Sequence, residues 1–431
     1  MPRFHGDYYA ATAPAAPDLP ALRGPVDASV CVVGGGFAGL NTALGLVERG
    51  MQGVVLVEAE HIGQGASGRN GGFVFGGFSR GEDALLADLG PQRAREVYGL
   101  TSAAVTRIRQ RIDRYGIDCD PVDAGVIWAN WFGRPDVLHA RRELLGDRYG
   151  VDWQWLDRRA MRELIRSKRY ADGLFEPSAF HFHPLAYARG LARVLAASGA
   201  RVYEQTPATR LRRMSNGWEV VTPEGLVRAR DVVLSCGGYL AGLSRRVDAA
   251  VLPIATYVMV TEPLGARMDD VLRTRAAIYD TRFAFDYYRP LPDTRLLWGG
   301  RISVLDRSPQ EVESLLVRDM LRVFPQLEGV TIDFAWSGLM SYARHQMPHV
   351  LQVEPGLWVG QAFGGHGVAP TTAAGELLAA AIAEDDPGWR ILERYGLTPA
   401  FKPAGFVAAQ LGYWWAQAKD DWRDRRERGW R

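Results

Sequence analysis

A glycine-rich segment between two apolar runs constrains the fold of this chain more than any other feature. Ser29–Val33 is a short, β-branched apolar run, which is typical of a strand buried on both faces. It leads into Gly34–Gly39, which has G-x-G-x-x-G spacing and is followed by apolar residues at helical spacing. A second apolar run, Val54–Val57, ends in Glu58. This order predicts a strand–helix–strand unit within a parallel sheet.

The same spacing predicts a binding site for a dinucleotide. Gly34 permits a tight turn, Gly36 lets the backbone approach a pyrophosphate, and Gly39 lets the helix pack closely on the strand. The free N–H groups at the start of the helix favour an anion. Glu58 ends the second strand, where its carboxylate can hold ribose hydroxyls. FAD and NAD(P) both contain an adenosine diphosphate half, so this unit alone leaves the choice between them open.

A second glycine-rich loop favours a flavin. After its first glycine, Gly65–Gly72 reads A-S-G-R-N-G-G, a pattern that a nicotinamide enzyme does not need directly after the ribose acid. Two later segments fit the same cofactor. Val232–Gly238 is an apolar run that ends in a glycine pair, and Trp358–Val368 feeds a glycine-rich helix start. N–H groups and a helix dipole at that start would stabilise the negative charge of a reduced flavin.

These motifs resemble the glycine oxidase, sarcosine oxidase and D-amino acid oxidase superfamily of FAD enzymes. Within it, the chain is similar to the γ-glutamylputrescine oxidoreductase branch, with bacterial L-pipecolate oxidase as a neighbour. Further segments that carry the resemblance are Tyr8–Ala11, Arg114–Asp120, His181–Pro184, Asp286–Arg289, Arg295–Gly300, Phe324–Leu327, Met347–Pro348 and Gly364–Gly367. One departure is Phe73–Ser79, which is more apolar than expected for a putrescine-type enzyme and favours a smaller substrate.

The resemblance implies an α/β + β fold of the D-amino acid oxidase and glutathione reductase type. A Rossmann-like FAD-binding domain is interleaved with an antiparallel-sheet substrate domain. We expect FAD-binding segments at 27–110, 175–250 and 335–395, substrate-domain segments at 111–174 and 251–334, and a tail at 396–431. Val126–Ala129 and Val251–Glu262 are predicted strands of the second domain. Ser308 and Glu311 form a capping box that predicts a helix start, with proline at its first position.

The implied reaction is oxidation of an amine or amino-acid C–N bond to an imine, by hydride transfer to FAD. The resemblance places eight candidate catalytic side chains over the flavin: Tyr257, Tyr288, Arg289, Trp298, Arg301, Arg344, His345 and His366. In these roles arginines would clamp a substrate carboxylate, and histidines would take a proton near neutral pH. The alternative for each arginine is a structural ion pair.

The predicted cofactor site collects the two glycine-rich loops, the ribose acid and the later strand ends. Its members are Gly34, Gly36, Phe37, Ala38, Gly39, Glu58, Ala59, Gly65, Ala66, Ser67, Arg69, Asn70, Gly71, Gly72, Ala208, Cys236, Gly237, Gly238, Gly338, Gly364, Gly365, His366, Gly367 and Val368. Relatives often attach FAD through cysteine or histidine. Phe334–Met340 has no cysteine and Ala66–Gly68 no histidine, so we expect non-covalent FAD. Two alternatives stay open: an NAD(P)-dependent dehydrogenase and a non-catalytic flavin-binding subunit.

Composition excludes other classes of protein. The 431 residues are 47% hydrophobic and 23% charged, as in a soluble protein of about two or three domains. With 51 basic and 49 acidic side chains, the net charge of +2 attracts no polyanion, and we expect no nucleic-acid partner. Cys31, Cys119 and Cys236 are too few and too scattered for a disulfide framework or a zinc site. His181 and His183 lack further ligands nearby, so we expect no metal.

Lysines are scarce, and this bears on the electron acceptor. Only Lys168, Lys402 and Lys419 occur among the 51 basic residues. Oxygen-using relatives place a lysine against the flavin, whereas Thr294–Arg301 contains none. We therefore expect slow reaction with oxygen and a quinone or other respiratory-chain acceptor, with oxygen as the alternative.

The C-terminal tail combines aromatic residues with arginines. Pro403–Ala418 carries no charge, and Trp414, Trp415, Trp422 and Trp430 fall in the last eighteen residues. Such a segment suits a membrane interface, or a helix docked on the protein's own surface or on a second subunit. Without an export signal at Met1–Pro20 or a spanning segment, we expect a cytoplasmic protein, with peripheral contact at the inner membrane as a further expectation.

Overall fold

The computed structural model describes residues 6–305 and 307–428. Its α-helices are α1 Tyr8–Thr12, α2 Phe37–Glu48, α3 Ala66–Arg69, α4 Glu82–Leu89, α5 Pro91–Tyr115, α6 Asp136–Leu144, α7 Arg158–Leu164, α8 Pro184–Ala197, α9 Arg245–Asp248, α10 Pro309–Val323, α11 Val368–Glu384 and α12 Ala404–Arg428. Its strands are β1 Gly24–Val33, β2 Val54–Val57, β3 Phe73–Val74, β4 Val126–Ala129, β5 Gln154–Leu156, β6 Gly173–Glu176, β7 Phe180–His181, β8 Arg201–Tyr203, β9 Arg210–Met214, β10 Gly217–Val221, β11 Gly225–Leu234, β12 Leu252–Thr261, β13 Ala277–Asp280, β14 Tyr287–Pro290, β15 Leu296–Ser303, β16 Ile332–Tyr342, β17 His349–Glu354 and β18 Leu357–Gln361. The strands form two eight-stranded sheets and one small pair, β3 with β7.

The first sheet contains the predicted strand–helix–strand unit. Its order is β17-β18-β11-β1-β2-β8, with β10 and β9 continuing from β11. The neighbours β18, β11, β1, β2 and β8 run parallel, and every residue of β2 is buried. α2 packs against α11. The carboxyl ends of β1, β2, β11 and β18 therefore meet at one edge, where doubly wound sheets bind ligands.

The second sheet is mostly antiparallel, as predicted. Its order is β16-β12-β15-β14-β13-β4-β6-β5, and β13 with β4 is the parallel pair. α10 covers one face, with Val312, Leu316 and Met320 in the buried core. The predicted boundaries after residues 174 and 334 fall inside β6 and β16, both of which pair within this sheet.

The predicted start of α10 is confirmed, and a histidine caps another helix. Ser308 caps α10 and forms a capping box with Glu311, and proline occupies the first turn. His183 caps α8, where its Nδ1 accepts from the N–H of Ala186 at 3.2 Å. Among the described residues, no group of three or more His, Cys, Asp or Glu side chains could hold a metal ion.

The C-terminal tail is the long helix α12, which docks on the protein's own body. The side chain of Gln410 accepts from Ser303 Oγ at 3.0 Å, and Asp420 accepts from the N–H of Phe283 at 2.8 Å. Near its end, Asp424 pairs with Arg169 at 2.6 Å. Trp430 lies outside the described residues. No helix of the described chain has the length and apolar character needed to cross a membrane.

Candidate active site

The edge of the first sheet forms a cradle for a dinucleotide. Gly34 has a φ of +112°, and a Cβ there would lie 2.6 Å from the carbonyl oxygen of Ser235. Gly36 caps α2 without a side-chain hydrogen bond, and the N–H of Phe37 donates to Ser67 Oγ at 2.8 Å. The carboxylate of Glu58 accepts from the N–H of Gly35 at 2.5 Å. Burial raises the pKa of Glu58, although these backbone N–H bonds oppose the shift.

One cavity of about 1660 Å³ extends from this cradle towards the second sheet. Every predicted cofactor residue lines it except Gly39 and Gly72. Gly39 packs on the turn itself, because a Cβ there would lie 1.9 Å from the carbonyl oxygen of Gly34. Gly72 faces away in the same manner, since a Cβ there would meet the carbonyl oxygen of Phe182 at 2.1 Å. The close packing of Gly39 on the turn agrees with the role that its spacing predicts, whereas the contact of Gly39 and Gly72 with the cofactor stays a prediction.

The cavity can hold a large, anionic cofactor. Its volume exceeds the roughly 300–1,000 Å³ of ordinary small-molecule sites. α11 begins at Val368, and its N-cap residue Gly367 provides no side-chain hydrogen bond. The start of α11 therefore faces the cavity, as does the start of α2. Several buried polar atoms of its lining, among them Ser235 Oγ and His366 Nδ1, lack a hydrogen-bond partner among the described residues. Buried polar groups are rarely left unpaired, which points to a ligand with polar edges.

Beyond the cradle, the cavity opens into an aromatic chamber. Its walls include the rings of Phe73, Phe75, Trp128, Tyr279, Phe285 and Tyr287. Phe75 stacks on Tyr279 with centroids 5.6 Å apart, and Tyr279 stacks on Trp128 at 6.3 Å. On the cradle side, Phe75 packs edge-on against His366 at 5.1 Å. The chamber is thus an apolar space that adjoins the cofactor cradle.

Comparison with known proteins shows the family to which the chain belongs. The family model described as FAD dependent oxidoreductase matches residues 29–381. The chain belongs to this family. Members of the family use FAD, and this oxidoreductase acts on amines or amino acids.

Individual relatives cover nearly the whole of the oxidoreductase. It is 35% identical to the γ-glutamylputrescine oxidoreductase of Escherichia coli (strain K12), covering 89% of this chain and 90% of the relative. It is 32% identical to the probable oxidoreductase OrdL of Haemophilus influenzae, covering 87% of both chains. The structure of glycine oxidase from Geobacillus kaustophilus superposes with a TM-score of 0.71 at 23% identity, over 86% of this chain and 99% of that one.

Three predicted catalytic side chains lie on the face of the second sheet that packs against α10, and not on the face of the cavity. Tyr288 and Trp298 stack in parallel at 4.5 Å within the core against α10. Tyr257 is also buried there, and its hydroxyl donates to the carbonyl oxygen of Leu305 at 2.6 Å. Side chains alternate between faces along a strand, so their neighbours Tyr287 and Thr256 line the cavity instead. A shift of one residue along the strand therefore separates Tyr257 and Tyr288 from positions that line the cavity.

Two further candidate catalytic residues bind backbone carbonyl groups of the protein outside the cavity. Arg289 is buried, and its Nε donates to the carbonyl oxygen of Gly71 at 2.7 Å, behind the cavity wall. His345 lies away from the cavity, with its Nε2 3.1 Å from the carbonyl oxygen of Gly396. Neither side chain lines the cavity, so the prediction that they act directly on substrate is wrong.

Three candidates do line the cavity: Arg301, Arg344 and His366. Arg301 forms a bidentate pair with Asp319 at 2.5 and 2.8 Å, which matches the structural alternative. Arg344 is exposed, and its guanidinium lies over Phe401 at 5.9 Å. Burial, with the charge of Arg141 as a second cause, lowers the pKa of His366 to about 4. His366 is therefore neutral at pH 7, contrary to the expected titration near neutrality.

Sequence reasoning missed Arg141, Tyr279 and Arg282, which all line the cavity. Arg282 pairs with Asp280 at 2.6 Å and also with Asp286. Arg141 comes from α6, far from the flavin motifs in sequence. The only available signal was the predicted strand Val126–Ala129, whose pairing partner β13 carries Tyr279.

Proposed function

We propose that this oxidoreductase oxidises an extended amine of the γ-glutamylputrescine type. The observation that carries this proposal is the extent of the cavity lining, which includes residues of α12 as well as the rings of the aromatic chamber. The wall that α12 contributes is largely built from small residues: Ala404, Gly405, Ala408, Ala409, Gly412 and Ala416. Small side chains leave room for a long arm. The 35% identity to the E. coli enzyme of that name supports the same choice.

The chamber favours the reactive form of an amine. Bound FAD supplies the oxidising power, accepting a hydride equivalent from the carbon next to nitrogen. That nitrogen must be neutral, and rings such as Phe75 and Tyr279 exclude water and so lower the pKa of an ammonium. His366 remains neutral beside them and can accept or donate a hydrogen bond. Water then hydrolyses the released imine to an aldehyde and an amine or ammonia.

FAD is held without a covalent bond in this proposal. Cys236 lines the cavity, and its Sγ lies 3.5 Å from the carbonyl oxygen of Val33. Burial raises the pKa of the Cys236 thiol to about 12. The thiolate is the nucleophile of cysteine chemistry, so this side chain is unreactive near neutral pH.

The expected result of an anaerobic titration separates the candidate substrates. The visible flavin band of the purified holoenzyme should bleach when γ-glutamylputrescine is added. The loss of absorbance per mole of added amine should be at least tenfold smaller with L-pipecolate or sarcosine, which corresponds to about 1.4 kcal/mol of discrimination between the amines. Stronger bleaching by L-pipecolate would replace the proposed substrate with a compact cyclic amino acid. A band that persists with all three amines would contradict the proposal.

We also propose a quinone as the electron acceptor. Four of the five arginines that line the cavity are paired with carboxylates: Arg69 with Asp7, Arg141 with Glu82, Arg282 with Asp280 and Asp286, and Arg301 with Asp319. None of the three lysines lines the cavity. An unpaired buried cation would stabilise the anion formed when oxygen takes an electron. The described lining offers none, which supports slow reaction with oxygen.

The outward face of α12 fits contact with a membrane that holds such a quinone. Val407, Leu411, Trp414, Trp415 and Trp422 are all more than half exposed on this helix. Exposed Lys419, Arg425 and Arg426 outnumber the exposed Asp421 in the same stretch. Aromatic rings flanked by cations are typical of a helix that lies in the interface of an anionic bilayer.

A vesicle experiment tests the acceptor and the membrane together. Substrate-reduced holoenzyme should be reoxidised at least tenfold faster by anionic vesicles containing a quinone than by dissolved oxygen. The double variant Trp415→Ser, Trp422→Ser should lose most of this difference in rate, because each ring buried in the bilayer contributes roughly 1.5–3 kcal/mol to binding. Met214→Ser removes an exposed apolar side chain on β9 and should have no effect. Equal rates with quinone vesicles and with oxygen would refute the proposal.

A further inference from the structure

A buried cluster of charged side chains joins the helices α2, α5 and α11. Arg111 of α5 lies at its centre, with only 1% of its side chain exposed. Its Nη2 donates to Glu48 Oε2 and to Glu376 Oε1, both at 2.5 Å, and its Nε donates to Glu48 Oε1 at 3.3 Å. Glu48 is the last residue of α2, and Glu376 belongs to α11. One guanidinium therefore joins the two helices whose starts face the cavity.

The same guanidinium is linked to the first turn of α2 through an asparagine. Arg111 Nη1 donates to Asn41 Oδ1 at 2.7 Å, and Asn41 Nδ2 donates to the carbonyl oxygen of Phe37, also at 2.7 Å. Asn41 is fully buried, which strengthens these bonds because water does not compete for them. Phe37 is the first residue of α2 and lines the cavity. Two successive hydrogen bonds thus connect Arg111 to the wall of the cofactor site.

α2 and α11 approach each other closely beside this cluster. A Cβ at Gly375, the residue before Glu376, would lie 2.7 Å from Asn41 Cβ. A Cβ at Gly45 would lie 2.8 Å from Ala379 Cβ. Interiors packed this tightly transmit strain, because they hold little free space into which a side chain can move. A rearrangement of the cluster would therefore reach the starts of both helices.

The charges of the cluster suit a positioning role better than a purely stabilising one. Burial opposes the ionisation of Glu48, but the hydrogen bond and the charge of Arg111 lower the pKa of Glu48 below its ordinary value. Arg107 Nε and Arg49 Nη1 also donate to Glu376, at 3.3 and 3.1 Å. Apolar side chains in place of a buried ion pair are often as stable or more stable, because charges are costly to remove from water. What the charged groups add is a fixed set of directed hydrogen bonds between three helices.

We infer that Arg111 is a positioning residue for FAD, which keeps the starts of α2 and α11 in the relative placement that the cofactor requires. N–H groups at the start of α2 would face the pyrophosphate, and those at the start of α11 would stabilise the reduced flavin. Loss of Arg111 should therefore weaken FAD binding and make the flavin harder to reduce. FAD is the cofactor of the family, so this role of Arg111 is independent of the proposed substrate and of the proposed acceptor.

The test compares Arg111→Met with the wild-type holoenzyme at a temperature well below the unfolding of both. Dilution releases FAD, whose fluorescence gives the dissociation constant, and an anaerobic titration against reference dyes gives the flavin midpoint potential. Arg111→Met should raise the dissociation constant of oxidised FAD at least tenfold. It should also lower the two-electron potential by at least about 30 mV, which corresponds to a tenfold greater loss of affinity for reduced than for oxidised FAD. Arg111→Lys keeps the charge and should recover part of both losses.

Arg295→Met is the control for a loss of stability alone. Arg295 Nη1 donates to the carbonyl oxygen of Thr261 at 2.6 Å, and its Nε pairs with Asp293 at 2.9 Å, but Arg295 does not line the cavity. This variant should unfold at a lower temperature than the wild type and yet keep the wild-type dissociation constant and potential. If Arg111→Met also unfolds early but binds FAD and is reduced like this control, the positioning role is overturned.

A second pair of variants decides the question if Arg111→Met fails to fold. Asn41→Leu removes the link between Arg111 and Phe37 but leaves the ion pairs of the cluster in place. Thr42→Val is its matched control, because Thr42 is fully buried at the next position of α2 and its Oγ1 donates to the carbonyl oxygen of Ala38 at 2.7 Å. Asn41→Leu should bind FAD at least fivefold more weakly than Thr42→Val. Equal dissociation constants in these two variants would overturn the positioning role.

Discussion

Gly39→Ala should yield a protein without bound FAD. The new Cβ would lie 1.9 Å from the carbonyl oxygen of Gly34 and 3.2 Å from Val32 Cγ1. The first of these is backbone in the tight turn of the cradle and cannot rotate away. Either α2 must shift from β1 or the turn must open, and both changes displace the N–H groups that would face the pyrophosphate. The flavin-to-protein absorbance ratio should fall to about a tenth or less, equivalent to at least about 1.4 kcal/mol of lost binding.

The control for this variant is another helical glycine. Gly99 lies on the exposed side of α5, and a Cβ there meets no atom within 4 Å. Gly99→Ala should keep its flavin and gain stability by up to about 1 kcal/mol, because alanine is the better helix former. Full flavin occupancy in Gly39→Ala would show that the cradle does not need the close approach of α2.

The parts of the fold that sequence predicts well depend on local rules. The glycine motif, the two short strands and the acid after β2 all lie within about thirty residues of the chain. Each of these signals reflects a local requirement of the backbone, which tertiary contacts do not alter. The strand Val54–Val57 and the capping box at Ser308 follow from the same kind of rule. The family resemblance then supplied the interleaved second sheet, which no local pattern specifies.

The facing of side chains on the second sheet is harder to predict. In its central part, α10 covers one face of this sheet and the cavity lies on the other face, so the strands there are buried on both faces. Tyr287 and Tyr288 could each pack against α10 or face the cavity. The sequence therefore has no polar–apolar alternation here that would show which residues face the cavity. Arg141 presents the opposite difficulty, since only the packing of α6 against Trp128 and Trp153 brings it to the chamber.

Arg289 shows why a cation predicted to bind substrate can instead hold the cofactor loop. Its Nη2 donates to the carbonyl oxygen of Phe182 at 2.9 Å and contacts Tyr9 Oη at 3.2 Å. Its Nη1 lies 3.2 Å from His181 Nδ1. Burial, followed by the charge of Arg289, lowers the pKa of His181 to about 3, so that histidine is neutral and can accept this bond. With Nε on Gly71, one guanidinium ties the flavin loop to α1 and to the turn before α8.

Arg289→Met should therefore destabilise the protein and loosen FAD together. Methionine fills similar space but leaves the carbonyl oxygens of Gly71 and Phe182 buried without a donor, at about 1–3 kcal/mol each. We expect thermal unfolding several degrees below that of the wild type and release of flavin before unfolding, measured by flavin fluorescence during the melt. Arg159→Met removes an exposed arginine that pairs with Glu163, and it should change stability by less than about 0.5 kcal/mol. If Arg289 acted only on substrate, its variant would melt with the control and keep its flavin to the same temperature.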